Sequence, residues 1–306
     1  MDAPGAAETA IDRKLIIGYD GSKHGDDALA LGALLASALG AVPLVATAVA
    51  YADYLLPLTT LERAAEDQAA PLFERAADQV APLEIETRTL VDDSPGHALH
   101  QLAEGKHAIL ITVGSSHRGA LGRILLGSVG EALLSGTPCA VAVAPAGYAA
   151  RPDRSLTRLG VGVDGSAESR SAIAVAGSLA ERLGASLAMI AVVPPVAPDI
   201  GGAILSMLSR EELEQSKHDQ MEAVLDRAVA EVPTGLACEP RLLHGDPASE
   251  LAEATHELDL LIVGSRCYGP VRRALLGGVT TKLMRSATAP VLVVPRDGGG
   301  DPLRTQ

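Results

Sequence analysis

Two short phrases in this chain carry the acidic, glycine and hydroxyl residues that a phosphorylated ligand needs, and each occurs twice. The first is Asp20-Gly21-Ser22, which returns as Asp164-Gly165-Ser166. The second is Val113-Gly114-Ser115-Ser116-His117-Arg118-Gly119, followed by Leu125-Leu126-Gly127-Ser128-Val129. It returns as Val263-Gly264-Ser265-Arg266-Cys267-Tyr268-Gly269, followed by Leu275-Leu276-Gly277-Gly278-Val279. Glycine lets a backbone approach phosphate oxygens closely and tolerates positive φ. The amides of Gly127, Ser128 and Val129, at a helix start, are donors without helical partners, and the Ser128 hydroxyl adds one more. A Gly-rich turn with Ser128 as a plain N-cap satisfies the same pattern without any ligand. The phrase is not a Walker A loop, because no Gly-Lys-Ser/Thr occurs. Nor is it the dinucleotide fingerprint, because the Gly-rich turn follows the fourth strand and not the first.

The elements that must position these phrases follow from hydropathy. Strands are expected over 14–19, 42–50, 83–91, 108–113 and 139–144, then over 158–163, 186–193, 236–243, 259–263 and 291–294. Helices are expected near 24–39, 60–80, 95–104 and 128–135, then near 167–183, 209–231, 247–257 and 278–286. Strand–helix alternation implies parallel strands joined by right-handed crossovers, so each half is a doubly wound α/β sheet. Such sheets bind ligands at the carboxyl ends of their strands, where strand order reverses. Asp20 and Asp164 end the first strand of each half, and Gly114 and Gly264 end the fourth. The shift is 144 residues between the aspartates and 150 between the glycines. Each repeat is thus the size of one domain. The expected domains are 1–148 and 156–306, with 149–155 as linker. Residues 193–209, rich in Pro and Gly, are either a flap or a solvated connection.

Composition narrows the function further. The chain has 306 residues, 47% apolar but only 2% aromatic, so its cores are Ala, Val, Leu and Ile. A net charge of −13 argues against binding a nucleic-acid backbone. The three cysteines, Cys139, Cys238 and Cys267, form no metal or disulfide framework and suit a reducing compartment. Without a signal peptide or a membrane-spanning run, a cytoplasmic protein is expected. His97 and His100, three apart on a helix, are a weak metal pair with a solvated face as the simpler account. Ser22 and Ser166 are expected as caps. The acidic stretch 211–226 is expected to be a solvated helix face.

With both phrases present twice, and with closing strands Val141-Ala-Val-Ala-Pro145 and Val291-Leu-Val-Val-Pro295, the chain resembles a tandem universal stress protein. The resemblance runs from about 12 to 147 and 156 to 296. It implies two tandem Rossmann-like domains, each with a five-stranded parallel sheet, related by a pseudo-two-fold axis through paired final strands. One branch of the family binds ATP in a loop of pattern Gly, two residues, Gly, nine residues, Gly, then Ser or Thr. Carried over, this implies a first site of Asp20, Val49, Val113, Gly114, Ser116, His117, Gly127, Ser128 and Val129. The second would use Asp164, Val192, Val263, Gly264, Arg266, Gly277, Gly278 and Val279. The chain departs from the pattern at its second glycine, which is His117 in one half and Cys267 in the other. The final Ser becomes Gly278 in the second half. The first copy is therefore one substitution from the pattern and the second two.

His117 is either a phosphate-facing cation or an exposed loop residue, and Cys267 beside Arg266 either a reactive thiol or an inert one. The expected function is a stress-response regulator that binds ATP, with any Mg²⁺ carried by the nucleotide, and turns it over little or not at all. The partners expected are adenine nucleotide and an unidentified protein, with no nucleic acid or membrane. Homodimerisation stays open. The alternatives are a nucleotide-free dimerisation or interaction module, and an adenylating enzyme of the wider nucleotide-binding α/β group.

Overall fold

The computed structural model describes residues 13–50, 57–116, 122–136, 138–196, 209–265 and 278–295. The first half runs β1 Lys14–Gly18, α1 Lys23–Leu39, β2 Val42–Val49, α2 Leu58–Val80, β3 Glu86–Val91, α3 Pro95–Lys106, β4 Leu110–Gly114, α4 Ser128–Leu134 and β5 Ala140–Ala144. The second runs β6 Arg158–Val163, α5 Ala167–Leu183, β7 Ser186–Val193, α6 Arg210–Ala230, β8 Cys238–His244, α7 Pro247–Ala254, β9 Leu260–Gly264, α8 Gly278–Ser286 and β10 Val291–Val294. These bounds lie within a few residues of the expected ones. The largest shifts are at the starts of β3 and at the end of α7, where the chain turns into a short 3-10 segment, Thr255–Glu257.

All strands join one ten-stranded sheet in the order β3-β2-β1-β4-β5-β10-β9-β6-β7-β8. Within each half every pairing is parallel. The central pairing, β5 with β10, is antiparallel, with Val143, Ala142 and Val141 opposite Val291, Leu292 and Val293. An exposed apolar edge at β5 would invite association; here β10 covers it, and all five of its residues are buried. The palindromic order is the one that a two-fold operation on a 3-2-1-4-5 sheet produces.

Helices cover both faces of the sheet, so its inner strands are continuous apolar runs and not alternating ones, while the edge strands β3 and β8 are polar and have no buried residue. Leu15 and Ile17 face the layer of α1 and α5, while Ile16 packs into the opposite cluster with Leu99 and Leu133. Helix ends are set locally. Ser22 and Ser166 accept hydrogen bonds from Gly25 N–H and Ser169 N–H, and the αL glycines Gly40 and Gly184 stop α1 and α5. The acidic helix α6 buries only Val224, Leu225 and Ala228, leaving its acidic face in solvent.

Asp27, which is 2% exposed, pins the start of the linker to α1. Its two carboxylate oxygens accept from Gly147 N–H at 2.8 Å and Ala149 N–H at 2.7 Å. Across the seam, Arg151 donates to Thr288 O at 2.6 Å and Ile124 N–H to Ala287 O at 3.2 Å.

Candidate functional site

The strand order changes direction beside β1, whose neighbours are β2 and β4. There the first half has a cleft of about 280 Å³. The ends of β1, β2 and β4 and the starts of α1, α3 and α4 form its walls. Asp20, Val113, Gly114, Ser116, Gly127, Ser128 and Val129 all line it, so the two recurrent phrases meet in one place.

Each letter of Asp-Gly-Ser has a local task. Asp20 Oδ1 accepts from Ser22 N–H at 3.0 Å and from Ser22 Oγ–H at 2.6 Å, closing the turn. Gly21 takes φ 74°, and a side chain there would also strike Leu72. Ser22 Oγ then caps α1 through Gly25 N–H at 3.1 Å. Gly25 has no Cβ because one would lie 2.6 Å from Asp20 Oδ1. Tyr19 stays a neutral donor: burial, then the Asp26 carboxylate, pushes its phenol up to about 12, and it donates to Asp26.

The loop leaving β4 is stitched at its base. Ser116 N–H donates to Leu125 O at 2.6 Å, and Ser115 Oγ accepts from Leu125 N–H at 2.8 Å. Helix α4 then begins with Gly127 as N-cap, in extended backbone and without a side-chain capping bond. The first helical bond is Glu131 N–H to Gly127 O, so the N–H groups of Ser128, Val129 and Gly130 precede the helical ladder. Ser128 is therefore the first helical residue and not the N-cap.

Two expected roles change. Val49 does not line the cleft; Ala46 and Ala48 do. Successive strand residues point to opposite faces, and the offset of 144 pairs Val192 with Ala48. Gly114 is required by packing as well as by the loop. A Cβ there would sit 2.0 Å from His24 O, so glycine admits the first turn of α1. Gly264 repeats this against Glu168, at 2.5 Å.

The second half has the corresponding cleft, lined by Asp164, Val192, Val263, Gly264 and Val279 among others, but of only about 160 Å³. Small residues of the first cleft have larger counterparts here: Ala46 becomes Ile190, Ala48 becomes Val192, Gly25 becomes Ser169 and Gly130 becomes Thr280. His24 becomes Glu168. Besides the neutral Tyr19 phenol, the ionisable lining groups described are thus Asp20 and His24 in the first cleft, and Asp164 and Glu168 in the second. Gly278 starts α8 and is not a lining residue. His117, Arg266, Cys267 and Gly277, and most of the 193–209 segment, lie outside the described residues.

The sequence reading missed His24, Glu168 and the Ala46/Ala48 pair. The 144-residue register, applied strand by strand, is the signal that finds them. His97 is committed elsewhere: its Nδ1 is 2.9 Å from Asp92 Oδ2, and the Ser94 N–H together with His97 holds the Asp92 carboxyl below its usual range. Among the described residues no group of three or more His, Cys, Asp or Glu converges as for a metal ion, and no helix is long and apolar enough to cross a membrane.

The profile of the universal stress protein family matches residues 13–145 and 156–295. A universal stress protein of Mycobacterium tuberculosis is 30% identical over 294 residues, covering 91% of this chain and 96% of its own. One of Mycolicibacterium smegmatis is 28% identical over 303 residues, covering 94% and 98%. Among solved structures, a universal stress protein from Archaeoglobus fulgidus superposes with a TM-score of 0.69 at 19% identity, over 94% of this chain and 99% of that one. The matched profile covers both halves, and the chain belongs to the universal stress protein family.

Proposed function

We propose that the first cleft binds an adenine nucleotide, ATP, and that the protein is a nucleotide-responsive stress regulator with little or no turnover. The observation that carries the reading is the meeting of Asp20, Gly114 and the α4 N-terminus around one 280 Å³ cleft. Pocket walls of this kind, mostly apolar with a few convergent polar groups, suit small ligands. Ala46, Ala48, Leu99 and Val113 offer an apolar floor for the base, and Asp20 an acceptor for adenosine hydroxyls. The amides of Ser128 and Val129 offer donors to phosphate, aided by the positive end of the helix dipole. Mg²⁺ would be held chiefly by the phosphates.

The second cleft supports the other reading, a nucleotide-free interaction half. It is smaller, and Glu168 stands where the first cleft has His24, adding a second carboxylate that opposes a polyphosphate.

The test is to denature purified protein, identify released nucleotide by mass spectrometry, and titrate ATP with Mg²⁺ by calorimetry. One ATP per chain is the expected result. Two per chain would refute the division of labour between the halves. None, together with no thermal shift in millimolar ATP and Mg²⁺, would make both halves interaction modules.

A further inference from the structure

Outside the lining of both clefts, at the far edge of the second half, two histidines converge. His218 lies on α6, and His244 is the last residue of β8, the edge strand of the sheet. His218 Nδ1 and His244 Nε2 are 3.1 Å apart, and the rings lie 5.3 Å apart between centroids at an interplanar angle of 14°. We propose that this pair is a two-histidine chelate for a borderline divalent transition ion of the zinc class, independent of nucleotide binding.

The two nitrogens face each other at hydrogen-bond distance, 3.1 Å, and share one proton. A divalent ion with metal–nitrogen bonds of about 2.0–2.1 Å takes that proton's place once the rings turn so that both lone pairs converge on it. Imidazole nitrogen is the ligand type that such ions favour over Mg²⁺ or Ca²⁺. The pair opens onto a surface cavity of about 570 Å³, which leaves room for water to complete the coordination. Glu211 and Glu214 line the same cavity and make its rim acidic. Lys217, the one described lysine there, is turned aside: its ammonium donates to Pro194 O and Pro195 O. No third His, Cys, Asp or Glu closes on the pair among the described residues, so the affinity belongs to a two-ligand site.

The consequence is mechanical. An ion here would tie α6 to the end of β8. One turn beyond His218, Met221 lines the second cleft, and Pro194 lines both cavities. Metal would therefore brace one wall of that cleft.

The experiment is calorimetric titration of the full chain with ZnCl₂ alone, and with MgCl₂ as control, in wild type, His218→Ala, His244→Ala, His218→Gln and His97→Ala. Circular dichroism confirms that each variant is folded. One zinc per chain with micromolar affinity is expected, with no heat from Mg²⁺. Either alanine variant should weaken binding by about tenfold or more. His218→Gln, which keeps a hydrogen-bonding partner for His244 but no imidazole, should weaken it equally, and His97→Ala not at all. Zinc binding unchanged in the His218 and His244 variants overturns the proposal. So does loss in only one of them, or no binding to wild type.

Discussion

Replacing Asp27 by alanine removes the acceptors for two backbone N–H groups, Gly147 and Ala149, that stand 120 and 122 residues away. Hydrogen bonds to a charged group contribute about 1.5–3 kcal/mol each. Against them stands the cost of keeping the carboxylate out of water, which here dominates the proton balance: burial raises its pKa despite the two N–H donors. Gly147 and Ala149 are only half-buried, so water can take over part of the lost bonding. The net loss for Asp27→Ala should be about 2–4 kcal/mol. Asp27→Asn is the sharper variant. Each carboxylate oxygen serves one N–H, and an amide turns one of those acceptors into a donor facing a donor. It should cost about 1–2 kcal/mol.

The pH dependence has a definite sign. A raised pKa means that the folded state holds more protons than the unfolded one between about pH 4 and the folded pKa. Asp27 therefore makes stability fall as pH rises through that window, then level off. Asp27→Asn lacks this contribution, so the wild-type advantage should be largest in acid and smaller at neutrality. Urea unfolding followed by far-ultraviolet circular dichroism measures both effects, since the chain has no tryptophan to report. Asp27→Ala within about 0.5 kcal/mol of wild type, the scatter of a neutral surface change, would refute the clamp. An advantage that grows with pH would refute the proton argument.

Gly114→Ala places a Cβ 2.0 Å from His24 O and should destabilise by about 3 kcal/mol, the upper end of overpacking. Gly105→Ala, in α3 with nothing within 4 Å, should instead stabilise by about 0.5–1 kcal/mol; the same unfolding assay reads both. Ala46→Ile with Ala48→Val gives the first cleft the β2 side chains of the second and should lower ATP affinity about tenfold or more by calorimetry, a change of about 1.4 kcal/mol. Cys139, 6% exposed with its thiol pushed up to about 12 by burial, should resist thiol reagents in the native protein at pH 8 and react fully in urea.

The strand runs and their carboxyl ends were legible because fully buried parallel strands are unbroken apolar segments, bounded by glycines and helix caps. That same uniformity hid their phase. A strand buried on both faces has no polar–apolar alternation to say which residue faces the cleft, which is why the sequence points to Val49 where Ala48 lines it. Gly114 was legible as a special glycine but not for its second reason, since the turn of α1 against it comes from a distant part of the chain. Asp27 carried no signal at all. In sequence it is one charge in the first turns of a helix, and its partners are 120 residues away.

What the fold adds is a way to compare the halves position by position. They agree where backbone packs against backbone: at Gly114 and Gly264, at Gly21 and Gly165, and at the capping serines. They differ at other positions of the cleft lining: Ala46 against Ile190, Ala48 against Val192, His24 against Glu168. The shared residues are what the doubly wound sheet requires of any sequence. The divergent ones are free of that requirement, so their direction is informative. In the second half they shrink the cleft and replace a histidine by a carboxylate, and both changes act against an anionic ligand while leaving the scaffold intact.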